Sequence, residues 1–595
     1  MCGIFAFSLN RPLTKKDIAL GKKATKYLSH RGNNANGFWY DNDKGVFLGH
    51  QRLSIIDLED RANQPMEIDK DVISFNGEIY NFKKIKDTLK NDCIFKTQSD
   101  TEVLLHAWKK WEEKTFDILD GAYSFVLWDG TQLNIAVDNF SEKKIFYYIS
   151  YDGVYFSSEI NALKSVFDLK VNNDTSIVNN FMALGYPGVN DTWYENVYSF
   201  SQSDYKTVKD GKIQKSYKYW NLANSSQKKL KQIGKKELTK IKNILLESLE
   251  NRLVSDVPLC LFLSSGVDSS LIAAMLKKDL QVNVEALTVN FSNVQNTQSE
   301  VMQAKEIASI LEMNHSVVDV NFSKENSGKL FENLLNISGQ PIDIPTSIAI
   351  QYMSNVAKKK GYKVGITGLG GDEVFSGYNQ HFFLHKYRHL YKSPIFFKKI
   401  ISKLINVIDF DKGYKFNALF AQEKNLNYIS YINYPNIKFL KKLPNFLAWA
   451  KDKFCENFIN YENLYKFLLQ EAMPSKQLIS IDHGSMSVGF EMRTPFLNKK
   501  LLEYLYNEID LRILMQHGQK YLLREILKDY LPEEICSLKK QGFIFPISYF
   551  LDNNITEYIA SNKIYNAVKK SKYQKDRILF RLALMLFFQK SENAN

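Results

Sequence analysis

Residue two is a cysteine, set between Met1 and Gly3. A small residue there allows Met1 to be removed, which would leave Cys2 at the amino terminus. A thiol is a weak nucleophile until it is deprotonated. A free α-amine titrates at about pH 8 and lies within reach of its own side chain. Nucleophile and base would then belong to one residue; the plainer alternative is a buried apolar residue opening a strand. A second chemistry is written further along. Residues 259–263 are an apolar run of buried-strand length, Ser264-Ser265-Gly266-Val267-Asp268-Ser269-Ser270 follows, and residues 271–278 read as a helix. Strand, Gly/Ser loop and helix together make an anion site: amides at the helix start face the ligand and the dipole adds positive potential. Small residues also let a phosphate approach the backbone. No lysine stands at the helix start, so this is not a P-loop. Residues 362–366 form a second apolar strand, leading into Thr367-Gly368-Leu369-Gly370-Gly371-Asp372-Glu373. Asp268 and Asp372 would sit at the carboxyl ends of neighbouring strands, where open α/β sheets bind ligands. Two carboxylates plus phosphate oxygens suit Mg²⁺, which accepts few protein ligands. The plain alternative for Asp372 is a helix cap.

The elements that must carry these residues divide the chain. With 595 residues, two or more domains are expected at about 100–200 residues each. Hydrophobic residues at 45% and charged residues at 24% suit a soluble globular protein. Short β-rich runs at 72–75, 123–128 and 154–157, interrupted by a helical stretch at 101–110, predict an α+β layered domain over residues 2–205. Polar residues dominate from about 201 to 236, so residues 206–235 read as a linker. An amphipathic helix is predicted over 236–253, and helical patterns then alternate with apolar strands. Residues 236–595 therefore read as a parallel sheet with crossover helices, mostly helical beyond Tyr378. The net charge of +13 comes from lysines dispersed among acidic residues, which predicts a solvated surface and no nucleic-acid partner. That charge favours anionic substrates. Five cysteines fit no zinc spacing and predict a reducing compartment. No apolar run approaches the roughly 18 residues of a membrane span, and MCGIFAFSLN has no basic region, so a cytoplasmic protein is expected.

Three further segments accompany Cys2: His50-Gln51-Arg52-Leu53-Ser54-Ile55-Ile56-Asp57, Phe75-Asn76-Gly77-Glu78-Ile79-Tyr80-Asn81 and Ser99-Asp100-Thr101-Glu102. Together they resemble the class II glutamine amidotransferase domain, an N-terminal-nucleophile hydrolase with an αββα sandwich. The resemblance implies that Arg52 holds the α-carboxylate of glutamine, a task suited to a planar fork. It implies that Glu78 and Asp100 take the α-ammonium, and that Asn76 with the amide of Gly77 forms the oxyanion hole. Each residue also has a plain surface, turn or cap reading. Two segments depart from the family: His30-Arg31-Gly32-Asn33-Asn34 replaces His-Arg-Gly-Pro-Asp, and Val137-Asp138-Asn139-Phe140-Ser141 replaces Arg-Asp-Pro-Phe-Gly. The second lies near the expected exit from the glutaminase site.

The serine-rich loop resembles the pyrophosphate loop of ATP pyrophosphatases, Ser-Gly-Gly-x-Asp-Ser-Ser, with Ser265 in place of the first Gly. Arg252-Leu253-Val254-Ser255-Asp256-Val257-Pro258, Asp482, Glu491-Met492-Arg493-Thr494-Pro495-Phe496-Leu497, Lys520-Tyr521-Leu522-Leu523-Arg524 and Lys539-Lys540-Gln541-Gly542-Phe543 extend the likeness. Over residues 235–550 the chain resembles the C-terminal domain of asparagine synthetases. By that resemblance Leu263, Val289, Thr367 and Gly368 line the base and ribose of ATP. Ser264, Ser265, Gly266, Asp268 and Ser269 cradle its phosphates, Asp268 and Asp372 hold Mg²⁺, and Lys540 neutralises departing pyrophosphate. The implied reaction is glutamine- and ATP-dependent amidation of a carboxylate through an acyl-adenylate, with small-molecule substrates only and no membrane partner. Dimers are common among proteins of this kind. Leu369 stands where asparagine synthetases carry Glu, in Gly-Glu-Gly. Aspartate is the first acceptor expected; another carboxylate, such as a uronic acid of a surface polysaccharide, is the second; a catalytically silent scaffold of the same fold is the third reading.

Overall fold

The computed structural model describes residues 2–222, 229–230, 232–291, 297–320, 327–386, 393–408, 416, 440–453, 461–538, 547, 550–560, 562, 565 and 575–594. Lys540 lies outside them.

The N-terminal half contains strands β1 (Gly3–Leu9), β2 (Ala35–Asp41), β3 (Val46–Arg52), β4 (Met66–Ile68), β5 (Asp71–Ile79), β6 (Gly121–Trp128), β7 (Leu133–Val137), β8 (Phe146–Ile149), β9 (Gly153–Ser157), β10 (Val197–Ser199), β11 (Asp204–Lys209) and β12 (Lys212–Lys218). They form two antiparallel sheets, ordered β10-β8-β9-β1-β3-β2 and β12-β11-β7-β6-β5-β4. Successive side chains of a strand face opposite ways, and this sorts the core into layers. Ile4 and Ala6 of β1 meet Leu48, Val72, Val126 and Ile135 between the sheets. Phe5, Phe7 and Leu9 face outward with Phe47, against Ala24 of the helix Lys15–Tyr27. On the other sheet Ile73, Phe75 and Phe125 pack against Val103, Leu104 and Trp108 of the helix Asp100–Trp111. An αββα sandwich results.

Strands β11 and β12 occupy residues read from sequence as the start of the linker. Tyr205 and Val208 are buried there, and β11 pairs with β7. Lysines at 212, 215 and 218 hid the strand pattern, because β12 is an edge strand whose charges face solvent.

The C-terminal half contains β13 (Leu259–Phe262), β14 (Glu285–Phe291), β15 (His315–Val320), β16 (Val364–Ile366) and β17 (Glu491–Arg493), all parallel, in the order β15-β14-β13-β16-β17. The chain leaves β13 toward β14 on one side and returns as β16 on the other. Strand order therefore reverses between β13 and β16, where open α/β sheets bind ligands. The helix predicted over 271–278 begins earlier, at Val267, and its α-helical part ends at Ala274. Beyond Tyr378 the described residues are mostly helical, as expected, with β17 as the one strand among them. No described helix is long and apolar enough to cross a membrane. Cys2, Cys93, Cys260 and Cys536 are free thiols.

Buried polar groups join the halves. Arg31 has no exposed side-chain area. Its Nε donates to the Cys2 carbonyl at 2.9 Å, and its two terminal nitrogens reach Glu159 and Asp482, each at 2.9 Å. Asp482 lies in the C-terminal half and also approaches Lys143 at 3.7 Å. Burial alone would raise the Glu159 carboxyl, but His30 and Arg31 outweigh it and hold it far below the ordinary range. Arg31→Met would leave two buried carboxylates short of their partner, at a cost of about 3–5 kcal/mol. A lower urea midpoint for the variant is the expected result; an unchanged midpoint contradicts this account.

Candidate active sites

The first pocket opens at β1. Cys2 is 6% exposed, and its backbone nitrogen donates to Asn76 Oδ1 at 2.8 Å. Burial pushes the thiol pKa up, while a hydrogen bond from the Leu53 amide and the charge of Arg52 pull it down. The net direction is upward, so this thiol needs a base. Asn76 sits on β5 with Nδ2 turned to Ser124 Oγ at 3.4 Å. Its carbonyl thus fixes the Cys2 nitrogen instead of its amide facing the thiol. Next to it, Gly77 has φ of 143°, and a Cβ there would lie 2.1 Å from the Ala122 carbonyl oxygen. Only glycine fits, and its place beside Cys2 is set by the pairing of β5 with β6.

Arg52 ends β3. Its fork donates to the carbonyls of Ile56 (3.3 Å), Asp57 and Glu59 (3.0 Å) and to Asn63 Oδ1 (2.8 Å). The guanidinium is close to Cys2 but braces the 56–63 loop. Glu78 is buried: Oε1 lies 3.5 Å from Arg493, and Oε2 has no hydrogen-bond partner among the described residues. Burial, reinforced by Asp100 and Glu491, holds its carboxyl well above the ordinary range. Asp100 is not the helix cap; Ser99 fills that role, accepting from the Thr101 amide at 3.1 Å. Asp100 instead accepts from the Ile79 amide at 2.9 Å, which ties the helix to the end of β5. Burial raises its pKa to about 6, against the Ile79 and Thr101 hydrogen bonds. Two crowded acids make an end of the pocket that favours a cation.

The second pocket lies at the reversal of the parallel sheet. Gly266 precedes the helix Val267–Ala274, and Ser264 Oγ accepts from its amide at 3.1 Å. Ser269 Oγ lies 2.9 Å from Ser264 Oγ and 3.1 Å from the Ser264 amide, so the loop is bound into one compact turn. Ser265 is not among the residues with positive φ, so its replacement of glycine carries no backbone strain. Leu263 is buried against β14, its amide bonded to the Leu287 carbonyl, and Val289 packs further along that strand. From the other side, Thr367 Oγ1 accepts from the Leu369 amide at 2.9 Å.

Asp268 and Asp372 converge on one ammonium group. Lys520 Nζ bonds to Asp268 and lies 2.7 Å from Asp372 Oδ1. Glycines clear the space: a Cβ at Gly368, Gly371 or Gly377 would come within 2.8, 2.5 or 1.8 Å of one of these two side chains. Nothing local in Lys520-Tyr521-Leu522-Leu523-Arg524 gives Lys520 a role. Its partners are 252 and 148 residues away, a separation no local spacing could reveal. No group of three or more His, Cys, Asp or Glu able to hold a metal occurs among the described residues. Two carboxylates that already share a cation do fit Mg²⁺, which keeps most of its waters.

Arg493, on β17, links the pockets. Its side chain reaches Glu78 and bonds to Glu491, Arg252 O and Val254 O, and its carbonyl accepts from the Thr367 amide at 3.0 Å.

Residues 1–220 match the family described as glutamine amidotransferase domain, and residues 240–591 match the family described as asparagine synthase. The chain is 27% identical to asparagine synthetase (glutamine-hydrolyzing) 1 of Bacillus subtilis, over 97% of this chain and 92% of that protein. It is 25% identical to asparagine synthetase (glutamine-hydrolyzing) 3 of the same organism, over 91% and 87%. Amidase chry2 of Gibberella zeae is 23% identical, over 95% and 92%.

Proposed function

Because the chain belongs to the asparagine synthase family, we propose that it uses glutamine and ATP to amidate a carboxylate through an acyl-adenylate, with aspartate as acceptor and asparagine as product. After removal of Met1, the nitrogen held by Asn76 becomes the α-amine that takes the thiol proton. Cys2 attacks the side-chain amide of glutamine, the Gly77 amide stabilises the oxyanion, ammonia leaves, and water cleaves the thioester. Glu78 and Asp100 receive the α-ammonium of glutamine; Arg52, assigned its carboxylate, would have to release part of its hold on the 56–63 loop to bind it.

In the second pocket the loop Ser264, Ser265, Gly266, Asp268 and Ser269 takes the ATP phosphates at a helix start. Leu263, Val289, Thr367 and Gly368 line the base and ribose. Asp268 and Asp372 would hold Mg²⁺, which when bound supplies neutralising charge for the phosphates. Lys520 adds a further cation at the same place, and Lys540 is assigned the departing pyrophosphate. The observation that carries the reading is the buried connection Glu78–Arg493–Thr367 between a thiol pocket and a strand-end loop.

Leu369 favours a second reading of the acceptor. It is 38% exposed beside Thr367 and offers no charge, which suits a carboxylate other than aspartate, such as a uronic acid. Pyrophosphate release with ATP, Mg²⁺ and glutamine, screened over aspartate and sugar carboxylates, tests both. Aspartate is expected to support release; release with a uronic acid and none with aspartate would transfer the assignment to the second reading.

A further inference from the structure

One buried carboxylate between the pockets has no part in this scheme. The segment joining β7 to β8 turns tightly around Asp138, which accepts the backbone amides of Tyr123 (3.1 Å), Phe140 (2.8 Å), Glu142 (3.1 Å) and Lys143 (3.2 Å). Phe140 enters the core of the C-terminal half, in one cluster with Phe496 and Leu497. The turn therefore presents Glu142 to the junction. Its side chain is 4% exposed, and Oε2 accepts from the Thr494 hydroxyl. Oε1 is buried and has no hydrogen-bond partner among the described residues.

The surroundings say what that oxygen could accept. Thr494 follows Arg493, whose side chain reaches Glu78 in the thiol pocket and whose carbonyl holds Thr367 in the other. Leu497 and Phe496 lie against Gly370, one residue beyond Leu369. The open oxygen thus stands where nitrogen would pass from one pocket to the next, beside a loop without a base. A buried acceptor left without a donor is destabilising, and ammonia is a small neutral molecule with three N–H groups. The geometry points to Glu142 as the group that accepts ammonia at the entrance to the synthetase pocket and takes its proton during amide formation. This rests on the proposed function. Nitrogen forms the new C–N bond to the acyl carbon, the bond from that carbon to the AMP oxygen breaks, AMP leaves with the electron pair, and one N–H proton moves to Glu142 Oε1. Burial next to Asp138 pushes this carboxyl up to about 7, against Arg252 and Lys143. A base matched to neutral pH is the effective kind.

Glu142→Gln keeps the size of the side chain and an acceptor for Thr494 but cannot take a proton. Glutamate, pyrophosphate and amide product are measured together in the full-length protein with glutamine, ATP, Mg²⁺ and either aspartate or glucuronate. Amide yield is expected to fall about 100-fold while glutamate and pyrophosphate continue to appear, because the acyl-adenylate is lost to water. Thr494→Val removes the Thr494–Glu142 hydrogen bond and leaves the carboxylate, so its amide yield should fall far less. An equal fall in both variants, an unaltered yield in Glu142→Gln, or loss of all three products in it overturns the inference while the function stands. A wild-type protein that releases pyrophosphate with neither carboxylate overturns the aspartate and uronic-acid readings, and the inference with them.

Discussion

Cys2→Ala abolishes glutamate release from glutamine, a loss of about 10⁴-fold or more, while ammonium salts still support pyrophosphate release. The size follows from the chemistry. The thiol is the atom that forms the thioester, and no other described cysteine lines that pocket: Cys93, Cys260 and Cys536 lie on other elements. The separation of the two activities follows from the geometry, since Cys2 is bound to Asn76 and Arg31 and not to the strand-end loop. Coupled assays for glutamate and pyrophosphate on one preparation read both. Persistent glutamate release would remove Cys2 from its role, and loss of the ammonium-supported reaction would show that the pockets cannot act apart.

Asp268→Asn should have the opposite signature, with pyrophosphate release reduced about 10³-fold and glutamate release retained. Asp268 lies in the first turn of the helix Val267–Ala274, just after β13, and with Asp372 it shares the ammonium of Lys520. Asparagine keeps the shape and removes one of two negative charges, so a divalent cation loses about half of its anchoring charge. Lys520 retains Asp372, so the fold is expected to survive. Differential scanning with Mg²⁺ and ATP gives a second readout: ligand that stabilises wild type by mass action should shift the variant far less. Pyrophosphate release within a factor of a few of wild type would exclude Asp268 from the site.

The parts of both pockets that follow local rules were legible beforehand. An apolar run, a Gly/Ser turn and a helix announce an anion loop whatever surrounds them, and the paired runs ahead of Asp268 and Asp372 placed both at strand ends. Asn76 and Gly77 read as a polar turn after a strand, but both lie inside the longer β5. What escaped depends on partners far along the chain. Glu491-Met492-Arg493 has no apolar run and forms a strand only because β16 offers it an edge. Arg31 and Asp482, 451 residues apart, meet across the halves. The fork of Arg52 turns to carbonyls of its own loop, because four acceptors there outbid solvent in a buried setting. Glu142 stands beside Lys143 and Lys144, and nothing local shows that the Asp138 turn carries it inward.

That turn also bears on how the molecule can be divided. Phe140 and Arg31 from one half, and Asp482 and Arg493 from the other, are buried where the halves meet and make contacts across that seam. Expressed as separate fragments, each piece would carry to its surface a greasy plug or an orphaned charge that evolved to be hidden. Swapping either unit into a relative would therefore mean transplanting the seam along with it.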